Sequence, residues 1–186
     1  MSRALIIVHN GFTDSEFTYA LDRCREEDID VQVATLDGGN AVGEKGWTAK
    51  ATFSVHMAHL IATSRAIWNT TAQGPWDILI LPGGVKSIEK VRQDPNVIDM
   101  IKLHNIADRV IASMCHGAQL LIEAELVRNR RVSGYYSIKT DIINAGGEYV
   151  HGVAIDGNIV SASHYDFNGK WMKAVIELWQ RNATKE

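Results

Sequence analysis

Three short, unbroken apolar runs limit the folds open to this chain: residues 4–8 (ALIIV), residues 77–81 (DILIL), and Val110, Ile111 and Ala112. A strand with one wet face alternates apolar and polar side chains. An unbroken run is instead covered on both faces, as in a parallel sheet held between two helix layers. The first run therefore belongs near the centre of such a sheet. After the turn-like His9, Asn10 and Gly11, Thr13 or Asp14 can cap a helix that sets Phe17, Ala20, Leu21 and Cys24 on one face. Residues 31–35 read as a second strand, closed by the Asp37, Gly38 and Gly39 loop. Strand, helix and strand in that order imply a right-handed crossover and an α/β fold. Cys24, on the apolar helix face, reads as packing.

Residues 40–76 carry a weaker pattern. Gly43, Gly46 and Trp47 open an irregular segment, followed by a short strand near 52–55 and a helix over about 56–68. His56 and His59 have the spacing of some helical metal pairs, but no Cys or Glu-rich partner set accompanies them, so no metal site is expected. Trp47, Phe53, Trp68 and Trp76 are candidates for a pocket wall or an interface, with core packing the plainer role for most of them. Pro82, Gly83 and Gly84 end the 77–81 strand, where two glycines let the backbone approach a ligand and present N–H groups. The G-x-G-x-x-G spacing of a dinucleotide site is absent, and no cofactor is expected. Further on, the pattern predicts a helix at 96–107, a strand at 131–134 and a helix at 138–144. Strands at 149–155 and 159–162 flank the hairpin signal Asp156-Gly157. Trp171, Ala174, Val175, Leu178 and Trp179 mark an amphipathic final helix.

The third apolar run stops at Cys115, and a helical pattern (Ala118, Leu120, Leu121, Ile122, Ala124) starts directly after it. Cys115 thus falls on a strand-to-helix corner, which aims its side chain outward. Ser113 and Gly117, two places either side, leave little bulk at the turn, as in the small-x-nucleophile-x-small elbow of hydrolases. A thiol there meets free backbone N–H groups and the positive end of a helix dipole, both of which favour the thiolate.

With 46% hydrophobic and 22% charged residues, the 186-residue chain reads as a single domain over 1–186 with a sizeable core. A net charge of -3 leaves no basic footprint for nucleic acid. No apolar run is long enough for a bilayer, and no signal-peptide cleavage pattern is present, so no membrane partner and a cytoplasmic location are expected. Two cysteines make no disulfide framework.

LPGG at 81–84, ASMCHGAQLL at 112–121, SIKTDIINAGGEYV at 137–150 and DGNIVSAS at 156–163 resemble the PfpI family of the DJ/PfpI superfamily, with NGFTDSEF at 10–17 also fitting. The resemblance implies a flavodoxin-like three-layer α/β sandwich with a mainly parallel central sheet and a nucleophile elbow, assembled as a homodimer or homohexamer. Carried over residue by residue, it makes Cys115 the nucleophile, His116 its histidine and Glu16 the acid beside the thiol. It assigns the oxyanion hole to the N–H groups of Gly84 and His116. Glu89 matches the third catalytic member, supplied by a neighbouring subunit, if one residue is inserted after Gly84; as a plain residue it is a solvated helix carboxylate. Tyr135, His164 and Trp47 are candidate substrate-binding residues. The chain departs from close relatives at roughly 56–72, where a helical segment is added, at Tyr136, where many have proline, and at Ser163, where many have arginine.

The expected function is a cysteine-dependent enzyme acting on a small carbonyl or acyl compound by thiolate attack from Cys115, as a hydrolase, a glyoxalase- or deglycase-like enzyme, or a peptidase-labelled relative. Oriented N–H donors would hold the developing oxyanion, and a desolvated Glu16 would have a raised pKa and shuttle a proton. An isonitrile-hydratase-like lyase is the alternative among enzymes. From another class, oxidation of Cys115 to a sulfinate would make the chain a redox-sensing or stress-protective protein.

Overall fold

The computed structural model describes residues 2–64 and 75–184. In chain order the elements are β1 (Arg3–Ile7), α1 (Asp14–Glu26), β2 (Asp30–Thr35), β3 (Ala41–Val42), β4 (Thr48–Ala49), β5 (Phe53–Ser54), α2 (Val55–Thr63) and β6 (Ile78–Leu81). They continue with α3 (Val85–Val91), α4 (Pro95–Ile106), β7 (Val110–Met114), a 3-10 turn (Cys115–Gly117), α5 (Ala118–Glu123), β8 (Arg131–Val132), α6 (Lys139–Asn144) and β9 (Glu148–Tyr149). The last three are β10 (Val153–Asp156), β11 (Ile159–Ala162) and α7 (Asn168–Ala183).

Seven strands form the central sheet in the order β10-β11-β7-β6-β1-β2-β5, parallel throughout except for the β10-β11 hairpin. The unbroken apolar run in β1 divides between two cores. Ala4 and Ile6 join one with Phe17 of α1 and Trp171 and Val175 of α7, while Leu5 and Ile7 join the other with Ala58 of α2 and Ile101 of α4. Successive side chains on a strand point to opposite faces, so both parities must be apolar only where helices cover both sides. This is the three-layer sandwich. Loops at the carboxyl ends of β1, β6 and β7 gather on one edge, the usual ligand edge of an open α/β sheet.

Several boundaries differ from the sequence expectation. The 149–155 segment is two strands, because Gly152, at φ 96°, breaks the chain between β9, which pairs with β8, and β10, which pairs with β11. The strand expected at 131–134 is only two residues long, and the helix expected at 138–144 begins with a 3-10 turn at Tyr136–Ile138. The segment read as irregular contains the β3-β4 hairpin. Thr13 is the N-cap of α1, but no side chain bonds there; the Asp14 carboxylate instead accepts the N–H groups of Lys45 (2.9 Å) and Trp47 (2.8 Å), tying the 43–47 loop to the helix start. Of the helix expected at 56–68, α2 covers 55–63, capped by the Ser54 hydroxyl; its remainder and Trp68 lie outside the described residues.

Candidate active site

The elbow is built as its residues dictate. Cys115 adopts φ 58°, a left-handed conformation that costs a non-glycine residue energy and persists only where surrounding packing holds it. The turn also requires the absence of a side chain two places on: a Cβ at Gly117 would strike the Leu81 carbonyl oxygen. Gly84, at φ 101°, passes equally close to the Gly11 carbonyl, bringing the β6 loop against the loop after β1.

These loops converge on the thiol. Cys115 is 7% exposed, whereas Cys24 is fully buried in the core, as its helix position predicted. Glu16, buried at the start of α1, accepts the Gly83 N–H through Oε2 at 2.6 Å, and its carboxyl group also interacts with the Cys115 thiol. Burial, far outweighing the Gly83 hydrogen bond, pushes the Glu16 carboxyl up to about 8. Burial also pushes the Cys115 thiol up, followed by the Glu16 charge, against a smaller downward pull from the His116 N–H. The thiolate-favouring corner read from the sequence is therefore offset by desolvation. It is least opposed when the proton sits on Glu16, because that removes the neighbouring negative charge. His116 places Nδ1 3.4 Å from Cys115 Sγ and Nε2 3.3 Å from Ser137 Oγ, and burial lowers its pKa, favouring the neutral ring.

A cavity of about 260 Å³ opens over the sulfur, lined by Cys115, His116, Glu16, Gly84, Tyr135 and His164 from the expected set. Thr13, Glu44, Val85 and Tyr165 complete it. Tyr135 packs on the His116 ring at 5.0 Å between centroids and on His164 at 5.9 Å. Two candidates do not reach it. Trp47 is exposed, because its backbone is drawn to Asp14 while Glu44 of the same loop turns to the cavity. Glu89 is exposed on α3, away from the cavity, and within one chain His116 meets Ser137 instead. The residues not foreseen are Glu44 on a loop, Ser137 and Tyr165 in 3-10 turns too short to show a periodicity, and Val85 at the first position of α3.

His59 Nε2 lies 2.7 Å from Asp99 Oδ2, linking α2 to α4, and His56 is exposed. Among the described residues no group of three or more His, Cys, Asp or Glu is placed to hold a metal ion. Trp76 is core and stacks on Phe53 at 6.0 Å. Among the described residues no helix is long and apolar enough to cross a membrane.

The family model for the DJ-1/PfpI family matches residues 2–178. The chain belongs to the DJ-1/PfpI family. Among its relatives is a protein of Thermococcus kodakarensis named deglycase, 32% identical over 95% of this chain and 98% of its own length. A Bacillus subtilis relative named putative cysteine protease is 29% identical over 84% and 86% of the two chains. Among solved structures, a two-domain protein of Anabaena variabilis with DJ-1/ThiJ/PfpI-like and ferritin-like domains superposes with a TM-score of 0.83 at 22% identity. That match covers 95% of this chain and 48% of the other, so this DJ-1/PfpI chain spans about half of the two-domain protein.

Proposed function

We propose that the chain is a hydrolase of small carbonyl or acyl compounds, of the deglycase type, with Cys115 as covalent nucleophile. The observation that carries this reading is the partly accessible Cys115 at φ 58° on a cavity floor, with a buried carboxyl and an imidazole beside its sulfur. Two relatives support it by name, one as a deglycase and one as a putative cysteine protease.

In this mechanism His116 is held neutral, and donation of its Nε2 proton to Ser137 leaves Nδ1 as acceptor for the Cys115 proton. The thiolate attacks the electrophilic carbon, and the N–H groups of Gly84 and His116 receive the oxyanion. Glu16 is protonated up to about pH 8, so it adds no charge against the thiolate and carries a proton for the departing group. With an acyl substrate the intermediate expels its leaving group together with the Glu16 proton and becomes a thioester. Water then adds, the S–C bond breaks and the acid leaves with the water's hydroxyl. The water's remaining proton restores the thiol, and the proton held by His116 returns to Glu16. Glu89 faces solvent, so a part for it requires a second subunit, and we include a homodimer or homohexamer in the proposal.

A second reading follows from the same burial. Cys115 is slightly exposed and Cys24 is not, so a peroxide would reach Cys115 first. One equivalent takes the thiol to the sulfenic acid and a second to the sulfinate, each peroxide being reduced to water, and a neutral Glu16 can donate to the product. The deciding experiment compares wild type and Cys115→Ser on 2-oxoaldehydes, their amine adducts, peptides, amides and isonitriles. Turnover of a carbonyl or acyl substrate that vanishes in the variant is expected. Unchanged turnover in Cys115→Ser sinks the nucleophile, and turnover of isonitriles alone replaces the hydrolase with a lyase.

A further inference from the structure

Tyr135 and His164 border the cavity over Cys115. The same two rings wall a second cavity of about 330 Å³, lined further by Tyr136, His151, Ser163, Asp166 and Phe167. Its sides are aromatic. Tyr135 and Tyr136 lie 4.4 Å apart by centroid, and His151 meets Phe167 edge-on at 5.5 Å. Tyr136 is 70% exposed, so its ring is held over the opening rather than in the core. The Asp166 side chain is 73% exposed and reaches His164 Nδ1 at 3.0 Å, which puts a carboxylate at the mouth. Among the described residues lining the two cavities, Glu16, Glu44 and Asp166 carry carboxyl groups and none is Lys or Arg.

We propose that this second cavity is a subsite for a positively charged group (ammonium, guanidinium or quaternary ammonium) on a substrate whose electrophilic carbon lies at Cys115. Ring faces attract cations through their quadrupole, and a carboxylate at the rim adds Coulombic attraction. An anionic group would meet Glu44 and Asp166, with histidines but no Lys or Arg on the walls to offset them. The shared Tyr135 and His164 set the two cavities side by side, so a small molecule with its electrophilic carbon at Cys115 need only reach past these two rings to place a charged group in the second. The subsite rests on the reading of Cys115 as an accessible nucleophile and adds to it a charge preference.

The test uses pairs of methanethiosulfonates that carry a trimethylammonium or a sulfonate head on alkyl linkers of graded length. The Cys115 thiolate attacks the sulfenyl sulfur, the S–S bond breaks, methanesulfinate leaves, and a mixed disulfide forms, with the thiol proton passing to solvent. The ratio of cation to anion rates, divided by the same ratio for free 2-mercaptoethanol, cancels both reagent chemistry and the nucleophilicity of Cys115. The expected corrected ratio is about tenfold in favour of the cation, equivalent to about 1.4 kcal/mol. It should rise as the linker carries the head past Tyr135, and fall about threefold in Asp166→Asn and in Tyr136→Leu, both at exposed side chains. A corrected ratio of one or below overturns the subsite. A high ratio that neither variant moves also overturns it, assigning the preference to Glu44 in the first cavity. If mass spectrometry finds neither reagent on Cys115, the accessible nucleophile itself fails, and the subsite with it.

Discussion

Glu16 is the residue whose protonation links the site to the stability of the fold. Its carboxyl ionises near 4.5 when exposed and near 8 in the folded chain, so the folded state binds the proton more tightly. Its favourable contribution is complete below about pH 4.5 and is lost as pH rises toward about 8. Glu16→Gln keeps an acceptor for the Gly83 N–H but has no charge to bury. The variant should gain roughly 3 to 5 kcal/mol on wild type between those two pH values. Denaturant titrations across the range check this, and parallel pH curves for the two proteins would refute a raised Glu16. The same variant should lose turnover about 100-fold, because an amide cannot deliver the proton that the carboxylic acid carries.

At the scale of elements, the site depends on how closely β6 and the elbow approach each other. Gly117→Ala would push a methyl group into the Leu81 carbonyl, and neither is a flexible side-chain end that can yield. A loss of about 3 kcal/mol is expected from the crowding, read as a fall in melting temperature together with loss of Cys115 reactivity. Helix α4 carries a second, unrelated titration. His104 is buried on it, with Nδ1 3.2 Å from the Met100 carbonyl oxygen; burial lowers its pKa to about 4. The unfolded chain takes the proton near 6.5, so stability is full above that value and is lost as pH falls toward about 4. His104→Leu should abolish an acid loss of roughly 3 kcal/mol, and an acid limb no shallower than that of wild type would count against it.

At the scale of the whole molecule, a neighbouring subunit enters the proposed mechanism through Glu89. Glu89 lies on the outer face of α3, and its proposed catalytic part exists only in an assembly. Dilution or interface substitutions that yield a folded monomer should therefore remove activity, with sedimentation reporting the state; a fully active monomer would exclude the role. The unbroken runs in β1, β6 and β7 already required a sheet covered on both faces, because only such burial explains apolar residues at both parities. Local geometry likewise placed Cys115 on a corner, since small neighbours and an abrupt change of periodicity report a turn without knowledge of distant contacts. Glu16 and Gly84 were reached through family resemblance, and the helix faces of Cys24 and Phe17 through periodicity. Distances between loops decided the rest. Asp14 turned Trp47 away and Glu44 inward, Ser137 took the place beside His116, and burial set the protonation of Glu16 and Cys115 against the helix end. Such pairings join residues far apart in the chain through irregular backbone, and desolvation depends on everything packed around a group. The sequence by itself determined a sheet covered on both faces and the corner at Cys115, with His116 and Glu16 named beside it by resemblance. Tertiary structure alone decided Glu44 and Ser137 as neighbours and the protonation that burial imposes, because both depend on residues distant in the chain.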